Sequence, residues 1–181
     1  MQDSWQKYVA EAFATFAFVF IAAGSVLSNW QTGGAIGNLG TALAHGFMLA
    51  AMIYAVWHVS GAHLNPAVTV ALWATGHVKT LVALGYIVAQ LVGSVVAALF
   101  LKVVFSAASP AFYLGDTMLG TGVTPGIGIL VEALLTFFLV WTVFGTIVDK
   151  KATPGFGGLM VGLVLAACIM VGGSFTMSAL N

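Results

Sequence analysis

Residues 60–73 read Ser60-Gly61-Ala62-His63-Leu64-Asn65-Pro66-Ala67-Val68-Thr69-Val70-Ala71-Leu72-Trp73. Asparagine is a favoured N-cap and proline a favoured first helical residue, so Asn65-Pro66 starts a helix. That helix has about ten apolar residues before Gly76 stops it. Crossing a bilayer takes roughly 20 residues, so this is a half-helix that dips into the membrane. Non-helical backbone at membrane depth survives only where it is buried in protein or lines a water-filled cavity. The carbonyls of Gly61, Ala62, His63 and Leu64 are therefore expected to face a cavity, with the half-helix N-terminus directing its partial positive charge into it.

The chain around this stretch suits a membrane. Of 181 residues, 61% are hydrophobic and 6% charged, and the net charge is +0. A soluble domain carries about 25% charged residues, so a soluble protein is excluded. With five lysines and no arginine, an electrostatic nucleic-acid binder is excluded too. One cysteine, Cys168, rules out a disulfide scaffold and a cysteine zinc site. Five stretches are apolar enough to cross: about 8–27, 39–58, 80–101, 127–147 and 155–173. The first is too long for a removable signal segment and lacks a cleavage site. With the N-terminus cytoplasmic, Lys7, Lys79, Lys150 and Lys151 lie inside and Lys102 outside, as the positive-inside rule requires. The expected location is the cell membrane.

Small residues recur every fourth position at Gly85, Ala89, Gly93 and Ala97, and again at Gly158, Gly162 and Ala166. This spacing lets helix backbones approach closely in lipid. The chain also repeats itself. Glu11 and Glu132 lie 121 positions apart, and Thr15/Thr136, Phe16/Phe137 and Gly24/Gly145 keep that offset. Further on the offset becomes 116, pairing Gly46/Gly162, Ala50/Ala166, Ile53/Ile169 and Asn65 with Asn181. Three spans separate the starts of the copies, so the second is inverted in the membrane. The expected organisation is one domain, 1–181, with a first repeat at about 8–105 and a second at about 127–181.

Residues Ser60–Val70 closely resemble the first signature loop of the aquaporins, the major intrinsic protein family, whose halves each carry an Asn-Pro-Ala motif. Glu11, Glu132 and the Ala89-Gln90…Gly93 pattern fit the same family along the whole chain. The resemblance implies an all-α membrane protein: an inverted-repeat bundle of six spans and two half-helices, assembled as a homotetramer with one pore per subunit. Asn181 aligns with the first letter of the second motif, so the printed chain reads as truncated before the second half-helix and sixth span.

The implied function is passive conduction of water, with small neutral solutes such as ammonia, and exclusion of ions and protons. No cofactor, metal or catalysis is implied. Asn65, Pro66, Ala67 and Asn181 would form the pore centre, with Gly61, Ala62, His63 and Leu64 lining the pore. His45, Ile169 and Ser178 would form the outer selectivity filter, an arrangement similar to the tonoplast intrinsic proteins. Glu11, Glu132 and His58 would support the loops. A different class keeps the carboxylates for chemistry: a proton-coupled secondary transporter using Glu11 and Glu132, since intramembrane carboxylates are costly and often functional.

Overall fold

A computed structural model describes residues 5–105, 115 and 117–180. Helix α1 (Gln6–Gln31) ends where the Thr32 hydroxyl folds back onto the Ser28 carbonyl at 2.9 Å. Helix α2 (Gly37–Ser60) is closed by Gly61, whose φ of 84° lets its N–H reach the Trp57 carbonyl at 3.0 Å. The expected half-helix is α3 (Pro66–Ala74), nine residues long. The Asn65 side chain caps it, accepting from the N–H groups of Ala67 (2.7 Å) and Val68 (3.4 Å). Helices α4 (Thr80–Val104) and α5 (Pro125–Val143) follow, α5 capped by Thr124 with Pro125 in its first turn. α5 widens into a π-helical turn, Phe144–Val148. Helix α6 (Gly157–Gly172) is the last helix among the described residues, and residues 173–180 follow it.

Among the described residues, four segments are long and apolar enough to cross a membrane: α1, α2, α4, and α5 with its π-helical turn. The fifth expected span is shorter than the hydropathy implied. Pro154-Gly155 delays its start, and α6 has 16 residues, about 24 Å at 1.5 Å per residue. Outward-facing side chains are apolar: Leu81 is 81% exposed and Ile129 71%. In water such a surface would aggregate; against lipid tails it is the membrane face.

Small residues decide the crossings. α4 packs on α1 with Gly93 against the Ala12 carbonyl, where a Cβ would overlap the oxygen. Gly85 makes room for the Tyr8 ring, and Ala97 is fully buried. α2 crosses α6 at Gly46 and Gly162, and the contact is reciprocal: a Cβ on either glycine would overlap the other's carbonyl oxygen. A Cβ on Gly46 would also lie 2.8 Å from Ala166 Cβ, and one on Gly162 2.7 Å from Ala50 Cβ. Around this crossing Leu49, Ile53, Leu135, Leu139, Leu165 and Ile169 form the core on which α3 rests.

Candidate channel site

Glu11 has no solvent exposure, and four donors surround its carboxylate. The Ser60 hydroxyl (2.6 Å) and the His63 N–H (2.9 Å) donate to Oε1. The Leu64 N–H (2.8 Å) and the Gln90 side-chain amide (2.8 Å) donate to Oε2. An ionised carboxylate is an acceptor only, matched by a shell made entirely of donors, and charge-assisted hydrogen bonds are the strong ones. α1 thus fixes the extended loop that enters α3. The loop needs this support, because Ala62 and Leu64 adopt left-handed φ of 51° and 53°, each disfavoured by roughly 1–2 kcal/mol for a residue with a Cβ.

α4 closes the loop from the other side. Tyr86 donates its hydroxyl to the Ser60 carbonyl at 2.6 Å. Gln90 also donates to Thr69 Oγ1 at 3.0 Å, joining loop, half-helix and α1 in one buried network. His63 Nδ1 lies 3.0 Å from the same Thr69 hydroxyl, and its ring meets Tyr86 edge-on at 4.8 Å.

The second loop folds in the same pattern. Thr176 donates its hydroxyl to Glu132, and the Ala179 and Leu180 N–H groups reach the same carboxylate at 3.3 and 2.9 Å. Ser178 N–H bonds Thr176 Oγ1 at 3.2 Å, as Ala62 N–H bonds Ser60 Oγ at 3.0 Å. Met177, Ser178 and Leu180 repeat the left-handed sequence of Gly61, Ala62 and Leu64. The loops meet where Asn65 Nδ2 donates to the Leu180 carbonyl at 2.8 Å.

A cavity of about 760 Å³ leads to this junction. Lys7, Trp57, His58, His77 and Lys79 are among its lining, the Gly61–Leu64 loop and Asn65 form its inner wall, and Leu139, Val143 and Leu165 supply an apolar side. Within the loop, the Leu64 carbonyl is engaged by Thr15 Oγ1 at 3.4 Å.

The expected site residues fall in different places. Asn65, Gly61, Ala62, His63 and Leu64 line this cavity; Pro66 and Ala67 form the first turn of α3. Asn181 lies outside the described residues. His58 does not join the loop: it is exposed, and no hydrogen bond among the described residues ties its ring to residues 60–64. Its position one turn before the loop sends its side chain to the cavity mouth instead. His45, Ile169 and Ser178 do not line the 760 Å³ cavity. His45 holds the Thr41 carbonyl at 2.7 Å and faces the Phe18 ring, Ile169 is buried, and Ser178 packs against Gly172. Tyr86, Thr69 and Thr176 were not singled out from the sequence. The 116-residue offset applied to Ser60 points to Thr176; no local pattern marks the other two.

Apolar spans, a half-helix and two extended loops held by intramembrane carboxylates define a polytopic helical membrane protein with a polar junction in its interior. The family model for the major intrinsic proteins matches residues 1–181. The chain belongs to the major intrinsic protein family. It is 40% identical over 179 residues to aquaporin TIP4-4 of Zea mays, covering 96% of this chain and 70% of that protein. It is 37% identical over 194 residues to the probable aquaporin AqpM of Archaeoglobus fulgidus, covering 97% of this chain and 79% of that protein. The fold matches the X-ray structure of the aquaglyceroporin from Plasmodium falciparum with a TM-score of 0.84 and 25% identity, covering 97% of this chain and 76% of that one. The protein is an integral membrane channel for water or small solutes, and not an enzyme.

Proposed function

We propose that the protein conducts water in single file, passes small neutral solutes such as ammonia, and excludes ions and protons. The observation that carries this reading is the pair of like-folded loops, each held by a carboxylate and joined through Asn65 and the Leu180 carbonyl. The Asn65 amide has two hydrogens; one bonds Leu180 and the second is offered to a passing water. Asn181, its counterpart at the 116-residue offset, is assigned the same role in the other half. The α3 N-terminus directs positive potential to this point and opposes cations and protons. His45, Ile169 and Ser178 form the outer constriction. The halves, about 8–105 and 127–181, are inverted copies about an axis near the Gly46–Gly162 crossing, and four subunits assemble as a homotetramer. The N-terminus is cytoplasmic: Lys7 and Lys79 share the cavity mouth with Val148, next to Lys150 and Lys151, while Lys102 lies at the other end of α4.

A proton-coupled transporter is less well supported. Glu11 engages four donors and is not itself among the cavity-lining residues, which is the arrangement of a loop anchor rather than of a carboxylate open to the cavity. The test is stopped-flow shrinkage of proteoliposomes, with internal pH followed under an ammonium gradient. Water flux is expected above the lipid background and unchanged by a protonophore; Ile169→His is expected to keep water flux within a few-fold and to lose ammonia flux. Saturable transport that collapses with the protonophore would overturn the channel reading. An Ile169→His variant that changes neither flux would remove Ile169 from the filter.

A further inference from the structure

The Ser178 hydroxyl is buried and has no hydrogen-bond partner among the described residues. It rests on Gly172. A Cβ built on Gly172 would overlap Ser178 Oγ and a Leu135 methyl, and would sit 3.3 Å from Ser178 Cβ. The loop leaves Ser178 little backbone freedom to retreat, because its φ is 53° and its N–H is bonded to Thr176 Oγ1. Gly172 also anchors the loop itself, its carbonyl accepting from Phe175 N–H at 2.9 Å and Thr176 N–H at 3.0 Å. A buried hydroxyl without a partner is unfavourable, and here the missing side chain of Gly172 is what gives it room.

We propose that Gly172 is a positioning residue for selectivity: by lacking a side chain it lets Ser178 stow its hydroxyl against α6, which keeps the outer constriction wide enough for small solutes larger than water. This rests on the reading of Ser178 as part of that constriction. Any side chain at 172 turns the hydroxyl off α6 and into the passage. Leu135, at the other face of the contact, is the flexible end of a side chain and can shift; the serine backbone, tied at its own N–H, cannot, so its hydroxyl swings about χ1 instead.

The experiment measures water, urea and ammonia permeability in proteoliposomes of the full-length protein and of G172A, S178A and G172A/S178A. G172A is expected to lower urea and ammonia flux about tenfold, the scale on which one added carbon discriminates in a closed site, and to lower water flux less. Removing the hydroxyl in G172A/S178A should return the solute-to-water ratio to that of S178A. S178C enlarges the atom held against Gly172 without altering any residue of α6, and is expected to shift the ratio in the same direction should G172A fail to assemble. A solute-to-water ratio unchanged in G172A and S178C, or a loss in G172A that persists in G172A/S178A, overturns the role of Gly172 while leaving the channel reading intact. Unmutated protein without water flux above empty vesicles would overturn the channel reading and this inference together.

Discussion

A carboxylate sealed from water inside a membrane survives only if donors replace its lost hydration. Glu11 has four, and two of them are backbone N–H groups of a loop that is otherwise strained. Glu11→Gln keeps the shape but removes the charge and turns a donor toward donors. Hydrogen bonds to a charged group contribute about 1.5–3 kcal/mol each, so losing two should destabilise the fold by at least about 3 kcal/mol. Thermal unfolding in detergent measures this, with water flux expected to fall toward background. The Glu11–Glu132 pairing was legible because a shared offset relates the residues. Tyr86 and Gln90 were not legible as loop supports: hydrogen bonds spanning 26 and 79 residues leave no local trace. Left-handed backbone at Ala62, Leu64, Met177 and Leu180 was equally hidden, since those residue types ordinarily avoid it.

Among the elements, α3 was the most legible. Its start was fixed by a cap and a proline, and its stop by Gly76, whose φ is 78°. α6 was the least, because hydropathy measures composition and does not register where Pro154-Gly155 lets a helix begin. The π-helical turn at Phe144–Val148 had no sequence mark either. The α2–α6 crossing yields a sharp expectation. Gly46→Ala places a methyl into the Gly162 carbonyl, an overpacking cost of about 1–3 kcal/mol. Gly145→Ala is its control, since a Cβ there meets nothing within 4 Å. Thermal unfolding of the purified protein should separate the two by several degrees, and equal stabilities would show that α2 and α6 separate without cost.

At the scale of the molecule, the lysines report which way the bundle stands. Lys79, Lys150 and Lys151 are exposed beside the end that opens into the 760 Å³ cavity, and Lys102 is exposed at the other. A membrane-impermeant amine reagent should therefore modify the first three from one side of sealed vesicles and Lys102 only from the opposite side. Modification of all four from one side would overturn the topology. The sole thiol offers no comparable handle. Cys168 is buried with its sulfur 3.9 Å from the Leu135 carbonyl and does not line the cavity, so a mercurial should leave water flux unaltered.

The Gly46–Gly162 crossing carries a consequence for divergence. Each glycine clears the other's carbonyl, so neither position is free to drift, and a change at one has no compensating change at its partner. Away from that crossing, and apart from the Asn65 bond to the Leu180 carbonyl, each loop is held by partners of its own half, and there the halves have parted: Ser60 against Thr176, Gly61 against Met177, Ala62 against Ser178, His63 against Ala179. The place where the halves touch through backbone has stayed alike, and the places they do not share have been free to specialise.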